Sequence, residues 1–282
     1  MVEHRPVRVI TDSTSDIPSA MATELGIRVV PLTVSFGAES FADGVDITSE
    51  EFLRRLRTET TLPTTSQPSV AQFEAAFRTA LDSGEDVVCV TLSSELSGTF
   101  NSARLASLEV DADRVVVVDS RGTTMQSGWV AIAAARVAQA HGSRVEVEAE
   151  ANDAVGRSSL FALLQTLDYV YKGGRIGRAQ HMFGSALAIK PIIGIVDGVV
   201  EPMERVRTWK KALLRVIDLV APTPSDIMVL HTDNLEDAEY VASALRQKYP
   251  EANLDIGSAG AVMSTYAGPG CIATSALYPR QK

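Results

Sequence analysis

The strongest constraint in this chain is a set of short runs built almost entirely of valine and isoleucine. Val7-Arg-Val-Ile-Thr11, Arg28-Val-Val-Pro-Leu-Thr-Val34, Asp86-Val-Val-Cys-Val-Thr91 and Arg114-Val-Val-Val-Val118 read as strands. Their apolar character is too continuous for strands wet on one side, so both faces must be covered. Segments 16–25, 48–58, 69–83, 99–108 and 124–140 have helical patterns and separate or follow these runs. Alternating strand and helix requires right-handed crossovers, hence a mainly parallel sheet with helices on its faces.

After about residue 150 the rhythm changes. Segment 166–189 reads as helix interrupted by Lys172-Gly-Gly-Arg-Ile-Gly-Arg178. Runs 190–196 and 199–207 flank Asp197-Gly198, a hairpin signal. A helical 209–220, a strand-like 226–231, a helical 234–248 and two strand-like terminal runs follow. The 282 residues fit two domains. The reading is α/β: a parallel-sheet N-terminal domain over 1–155 and an α+β C-terminal domain over 156–282. No repeat or low-complexity linker separates them, so they are expected to pack closely around an inter-domain cleft, a common ligand site.

Charge excludes several classes of function. Lys and Arg number 26 against 35 Asp and Glu, a net charge of −9, which disfavours nucleic acid. No apolar run approaches the roughly 18 residues of a membrane span. Met1-Val-Glu-His-Arg-Pro6 leads into no apolar signal core, so a cytoplasmic protein is expected. The cysteines are Cys89 and Cys271, too few for a disulfide framework or a thiolate zinc cage. Histidines 4, 141, 181 and 231 form no metal-binding pattern, and His231 reads as a core or loop residue at a strand end. Neither a metal nor a cofactor is expected.

Four N-terminal segments are crowded with hydroxyls: Thr11-Asp-Ser-Thr-Ser-Asp16, Thr64-Thr-Ser-Gln-Pro-Ser69, Ser93-Ser-Glu-Leu-Ser-Gly-Thr99 and Asp119-Ser-Arg-Gly-Thr-Thr124. Each alone reads as a helix cap. Together they converge, because strand-to-helix loops of a parallel sheet share its carboxyl edge, where such folds bind ligands. Helix N-termini there suit an anion. Ser97-Gly98-Thr99 is the sharpest of them: glycine permits close backbone approach and two hydroxyls flank it. The nucleophile reading of Ser97 is poor, since no G-x-S-x-G elbow exists and no histidine falls in a neighbouring loop. Phosphate-binding glycine motifs are also missing. The chain offers groups that hold an anion rather than groups that transform one. Most local positive charge lies in 168–215, where nine cations face four acids. There Gly173-Gly-Arg-Ile-Gly-Arg178 interleaves arginine with glycine, which suits phosphate or carboxylate.

Ile10-Thr-Asp-Ser-Thr-Ser-Asp-Ile-Pro18, Thr65-Ser-Gln-Pro-Ser69, Leu96-Ser-Gly-Thr99, Tyr171-Lys-Gly-Gly-Arg-Ile-Gly177, Lys190-Pro-Ile-Ile193, Arg205-Val-Arg-Thr208 and Gly268-Pro-Gly270 follow one another along the chain. In this order they make the sequence resemble, from end to end, the DegV family of bacterial fatty-acid-binding proteins. The resemblance implies a long-chain fatty acid in a tunnel between two domains, its carboxylate held by Thr65 and Ser97 with Gly98, Thr99 and Tyr266 beside them. Ser13, Ser66 and Ser120 would stand around this group. Met182, Phe183, Ala186, Leu187, Ile189 and Ile192 would line the tunnel or pack as ordinary core. The resemblance also implies a partner, a fatty acid kinase, whose acyl phosphate product enters phospholipid synthesis. Arg175 and Arg207 would face that kinase or its phosphate. A carrier of this kind has no membrane span, and transient membrane contact is compatible with it.

One position departs from the family. Two residues before its Gly-Pro-Gly the family usually has histidine, and here Tyr266 stands there. A phenol donates a hydrogen bond but carries no charge at neutral pH. An acyl chain of about 16 carbons gains roughly 12 kcal/mol gross on burial, before association costs. The head is the expensive part, since an unpaired carboxylate resists burial. Two alternatives stand beside the carrier. One is a phosphotransfer enzyme, because the family's first domain resembles the substrate domain of dihydroxyacetone kinases; the missing histidine argues against it. The other is an interaction module with a structural lipid.

Overall fold

The computed structural model describes residues 5–182 and 189–280. Strand β1 (Val7–Asp12) runs through a 3-10 turn (Ser13–Ser15) into α1 (Ser19–Glu24) and β2 (Arg28–Val30). Pro31 has no N–H to continue a ladder. Beyond it the chain leaves the first sheet and forms β3 (Thr33–Phe36), β4 (Glu39–Ala42), α2 (Ser49–Thr58) and β5 (Thr64–Ser66). These three strands make an antiparallel sheet in the order β4-β3-β5. Residues 28–34, expected as one strand, are therefore two strands in different sheets. Residues 64–66, expected as a loop, are a strand that sets Thr65 opposite Val34.

The chain then follows the expected alternation: α3 (Val70–Asp82), β6 (Asp86–Thr91), α4 (Thr99–Val110), β7 (Val115–Asp119) and α5 (Met125–Gln139). A further helix, α6 (Arg144–Val155), lies where the sequence reading placed no element. Its helical start is set by a capping box between Ser143 and Glu146. Strands β2-β1-β6-β7 form the parallel sheet.

After α6 the chain enters a second large sheet. Its elements are β8 (Ser158–Leu163), α7 (Asp168–Lys172), a 3-10 turn (Gly177–Met182), β9 (Lys190–Val196), β10 (Val199–Val206), α8 (Trp209–Leu219), β11 (Asp226–His231), α9 (Leu235–Lys248), β12 (Asn253–Ser258), α10 (Ala261–Ala267) and β13 (Ile272–Leu277). The order is β10-β9-β8-β13-β11-β12, antiparallel except between β11 and β12. The Asp197-Gly198 hairpin forms as expected. The interruption expected in segment 166–189 is present: α7 stops at Lys172, Gly174 and Gly177 take positive φ, and Gly177–Met182 is a 3-10 turn rather than an α-helix.

Helix α5 organises the interior. Every residue from Met125 to Ala135 is buried, as befits a helix that is apolar all round. One side packs on β1 and β6, the other on β8 and β13. A single apolar core therefore runs from Val9, Val88 and Val118 through α5 to Leu160, Ala273 and Leu277. The outer face of the parallel sheet is covered by α3 and α4, where Cys89 is buried. The outer face of the mixed sheet is covered by α8 and α9. At its C-terminal end α5 is tied to the mixed sheet by Arg136, whose guanidinium donates to both oxygens of Asp226 at 3.0 and 2.7 Å. Asp226 is buried. Arg136→Ala should lower stability by about 2 kcal/mol in urea unfolding, less than for a fully buried pair because the guanidinium is half exposed. An unchanged midpoint would show that this tie contributes nothing.

Candidate functional site

A cavity of about 370 Å³ lies at the carboxyl edge of the parallel sheet, within the range of about 300–1,000 Å³ common for small-molecule sites. Loops after β1, β6 and β7 contribute Thr14, Asp16, Leu92, Leu96, Ser97, Thr123 and Thr124 to its wall. The mixed sheet contributes Leu160, Ile193, Ile195, Val200 and Ala273. Both halves of the molecule therefore close one largely apolar space.

Hydroxyls line one part of this wall. Thr65 Oγ1 lies 2.5 Å from Tyr266 Oη. Thr65 is carried there by β5 and Tyr266 by α10, so the bond joins residues 201 positions apart. Ser97 also lines the cavity. Behind it Thr99 is fully buried, with Oγ1 2.9 Å from Ser97 Oγ. The Thr99 backbone N–H donates to the same Ser97 oxygen at 3.3 Å. Tyr266 also lines the cavity, whereas Thr99 does not, so the rear position is taken by Thr99 in the Ser97 pair. When the rear hydroxyl donates forward, the front hydroxyl keeps its own hydrogen for a ligand, and chained hydrogen bonds polarise one another. Gly98 fits here because a Cβ would stand 2.3 Å from the Gln67 amide oxygen. Arg175 closes the rim: its Nε donates to the Leu96 carbonyl at 3.3 Å, and its guanidinium lies 5.6 Å from the Tyr266 ring centre.

The structure distributes the remaining expected residues differently. Ser66 lines the cavity. Ser13 accepts the Leu32 N–H at 3.0 Å, and Ser120 bonds to Gly122; both support loops behind the wall. Met182 is buried in the shared core without lining the cavity. Of its two expected roles Ile192 takes that of ordinary core: strand alternation turns it to the opposite face of the mixed sheet, into the cluster with Ala212 and Leu213, while Ile193 and Ile195 face the cavity. Phe183, Ala186 and Leu187 lie outside the described residues. Arg207 is exposed after β10 and does not line the cavity. The basic stretch is also partly neutralised, since Arg178 pairs with Glu201 and Arg215 with Glu204.

Sequence reasoning missed an acidic group beside the hydroxyls. Asp16 lines the cavity and accepts the Gly260 N–H at 2.8 Å. Its Oδ2 is buried without a partner. Burial pushes its carboxyl up to about 8, and nearby Asp43 adds to the rise. Asp12, bonded by Thr14 and the Leu92 N–H, is pushed by burial to about 6. The signal for Asp16 was its place in the hydroxyl-rich loop, where it read as a cap. His231 also lines the cavity. Its Nδ1 accepts the Asn234 N–H at 3.3 Å and burial lowers its pKa, so the neutral ring carries its proton on Nε2. Cys271 on the same wall has its thiol pushed up to about 12 by burial and acts as an apolar surface. Among the described residues no cluster of His, Cys, Asp and Glu is arranged to hold a metal ion.

The DegV family model, whose description calls the family uncharacterised, matches residues 6–278. The chain belongs to the DegV family. A DegV domain-containing protein of Caldanaerobacter subterraneus subsp. tengcongensis is 37% identical over 268 residues, covering 93% of this chain and 95% of that protein. Two solved DegV structures superpose along nearly the whole chain. One concerns fatty acid binding of a DegV family protein from Thermus thermophilus, with 32% identity, TM-score 0.87, and 97% and 100% of the two chains covered. The other is DegV, a fatty acid binding protein from Bacillus subtilis, with 30% identity, TM-score 0.89, and 98% and 100% covered. The DegV fold is thus present along nearly the whole chain, and the two solved relatives bind fatty acids.

The Asp16 carboxyl has a pH consequence with a definite sign. Its pKa in the folded state lies above the ordinary 3.8, near 8, so the folded state holds this proton more tightly than the unfolded state. Stability from this group is full below the ordinary value and falls as pH rises toward 8. Asp16→Asn keeps an acceptor for Gly260 and removes the titration. Its melting temperature relative to the unsubstituted protein should climb between about pH 5 and pH 8. Parallel melting curves across that range would contradict the assignment.

Proposed function

We propose that this protein is a carrier that buries one long-chain fatty acid in the cavity between its halves. The observation that carries the reading is the group of hydroxyls, Thr65, Ser97 and Tyr266, on the wall of an otherwise largely apolar space. The carboxylate would accept from Thr65 and Ser97, with Tyr266 and Thr99 donating to them. That arrangement offsets the cost of removing the charge from water without a buried salt bridge. Tyr266 replaces the cation that a histidine would offer with a strong neutral donor. The acyl chain would lie along Leu160, Ile193, Ile195 and Val200. Fatty acid binding by the relatives from Thermus thermophilus and Bacillus subtilis supports the ligand class.

In this reading the chain binds and presents its ligand and performs no chemistry on it. A separate fatty acid kinase would meet the carboxylate at the rim, where exposed Arg175 stands over Tyr266, with exposed Arg207 as a further contact. Among the described residues no helix is long and apolar enough to cross a membrane. Turnover of an acyl phosphate by the protein alone would replace this reading with phosphotransfer.

Calorimetry of delipidated protein with palmitate tests the head-group assignment. Ser97→Ala and Thr65→Val should each weaken binding by about 10-fold, the scale of one hydrogen bond to a charged group. Unchanged affinity in both variants would remove the carboxylate from this position.

A further inference from the structure

Helix α10 begins at Ala261 and its N-cap is Gly260, which has no side chain to offer the first-turn N–H groups. Those groups are met from the other half of the molecule. Asp16, just after β1, accepts the Gly260 N–H at 2.8 Å. Asp43, just after β4, accepts the Ala261 N–H at 2.9 Å. Both carboxylates crowd the same spot: a Cβ on Gly260 would lie 3.0 Å from Asp16 Oδ1 and 3.3 Å from each oxygen of Asp43. At the other end of the helix Tyr266 meets Thr65 at 2.5 Å. Between these points α10 touches α2, α7, β3 and β5, and Ala261 is buried in the apolar cluster of α2 and β3. A helix of two turns held at its first turn by two buried acceptors has little freedom at its last turn.

We propose that Asp16 and Asp43 are positioning residues for the head-group hydroxyls: by gripping the first turn of α10 from the N-terminal half, they set where Tyr266 Oη meets Thr65. The Asp16 and Asp43 carboxyls themselves fill this helix end, each accepting through an oxygen that can do so whether or not the group is protonated. The assignment deepens the carrier reading and rests on it for its effect on affinity, while its effect on Tyr266 stands without a ligand. Two features make the grip specific to this geometry. Asp43 is 4% exposed, and Asp16 spends one oxygen on Gly260 while the other stays buried and unpaired. Neither carboxyl has a cation among its hydrogen-bonding partners in the described residues; across the two halves Asp16 meets the Gly260 N–H, and Asp43 meets the Ala261 N–H with Val262 beside it.

The test uses the intact protein labelled with 13C at tyrosine Cζ, the Tyr266 signal being assigned by its loss in Tyr266→Phe. Thr65→Val gives the shift that marks loss of the Tyr266 bond. Asp43→Ala should move the signal in the same direction, and Asp43→Asn, which keeps an acceptor, should restore it. Gly260→Ala, which pushes on both carboxylates without deleting either, covers the case in which Asp43→Ala does not fold. An unmoved Tyr266 signal in the folded variants overturns the proposal. The second readout is palmitate affinity. Asp43→Ala should weaken it about 5-fold alone and less than about 2-fold on top of Tyr266→Phe, since residues acting through one contact are not additive. Equal loss in both backgrounds overturns the proposal. A moved Tyr266 signal with no palmitate binding by the unsubstituted protein supports the positioning role and sinks the carrier reading instead.

Discussion

A helix that is apolar on every side must be covered on every side, and α5 imposes that demand on the whole molecule. Neither half of the chain can meet it alone. The parallel sheet covers one flank and the mixed sheet the other, so a single core passes through α5 from Val9 to Leu277. The arrangement also explains where a ligand can go. At the N-terminal end of α5, the loop residues Thr123 and Thr124 line the space where the two sheets diverge. The cavity is thus the place where the shared core opens out, with walls drawn from both halves.

What this opening can hold follows from its two kinds of wall. Branched aliphatic side chains from β8, β9 and β10 welcome an acyl chain. The polar part presents the hydroxyls of Thr65, Ser97 and Tyr266, with exposed Arg175 at the rim. Burying an anion against hydroxyls avoids the side-chain ordering and desolvation of a buried ion pair. The cost appears elsewhere, in Asp16 and Asp12, whose carboxyls are held well above their ordinary range by burial. At neutral pH the Asp16 carboxyl, held near 8, is a largely neutral neighbour for a bound carboxylate, which an ionised one would repel.

The parallel sheet was readable because its evidence is local: valine runs, helical periods and caps lie next to one another in sequence. Ser97, Gly98 and Thr99 were readable for the same reason, as a loop between a strand and its helix. Thr65 was assigned by resemblance but placed on a loop, because three residues of Thr and Ser carry no strand signal until β3 pairs with them. For Ile192 the choice between tunnel wall and core was not legible, since period-two alternation moves a side chain from one sheet face to the other within a single residue. The Asp43 grip on α10 was invisible, because its partners lie 218 residues apart and Gly260 has no side chain to announce a cap. Motifs report local chemistry; contacts between the halves appear only in three dimensions.

The central claim is that the cavity holds a long-chain fatty acid by its carboxylate at Thr65 and Ser97. The most direct measurement is mass spectrometry of organic extracts from the purified protein and from a Thr65→Val, Ser97→Ala double variant. The account predicts a long-chain fatty acid near one per protein molecule in the first and little in the second. Equal recovery from both, or none from the unsubstituted protein even after incubation with palmitate, would contradict it.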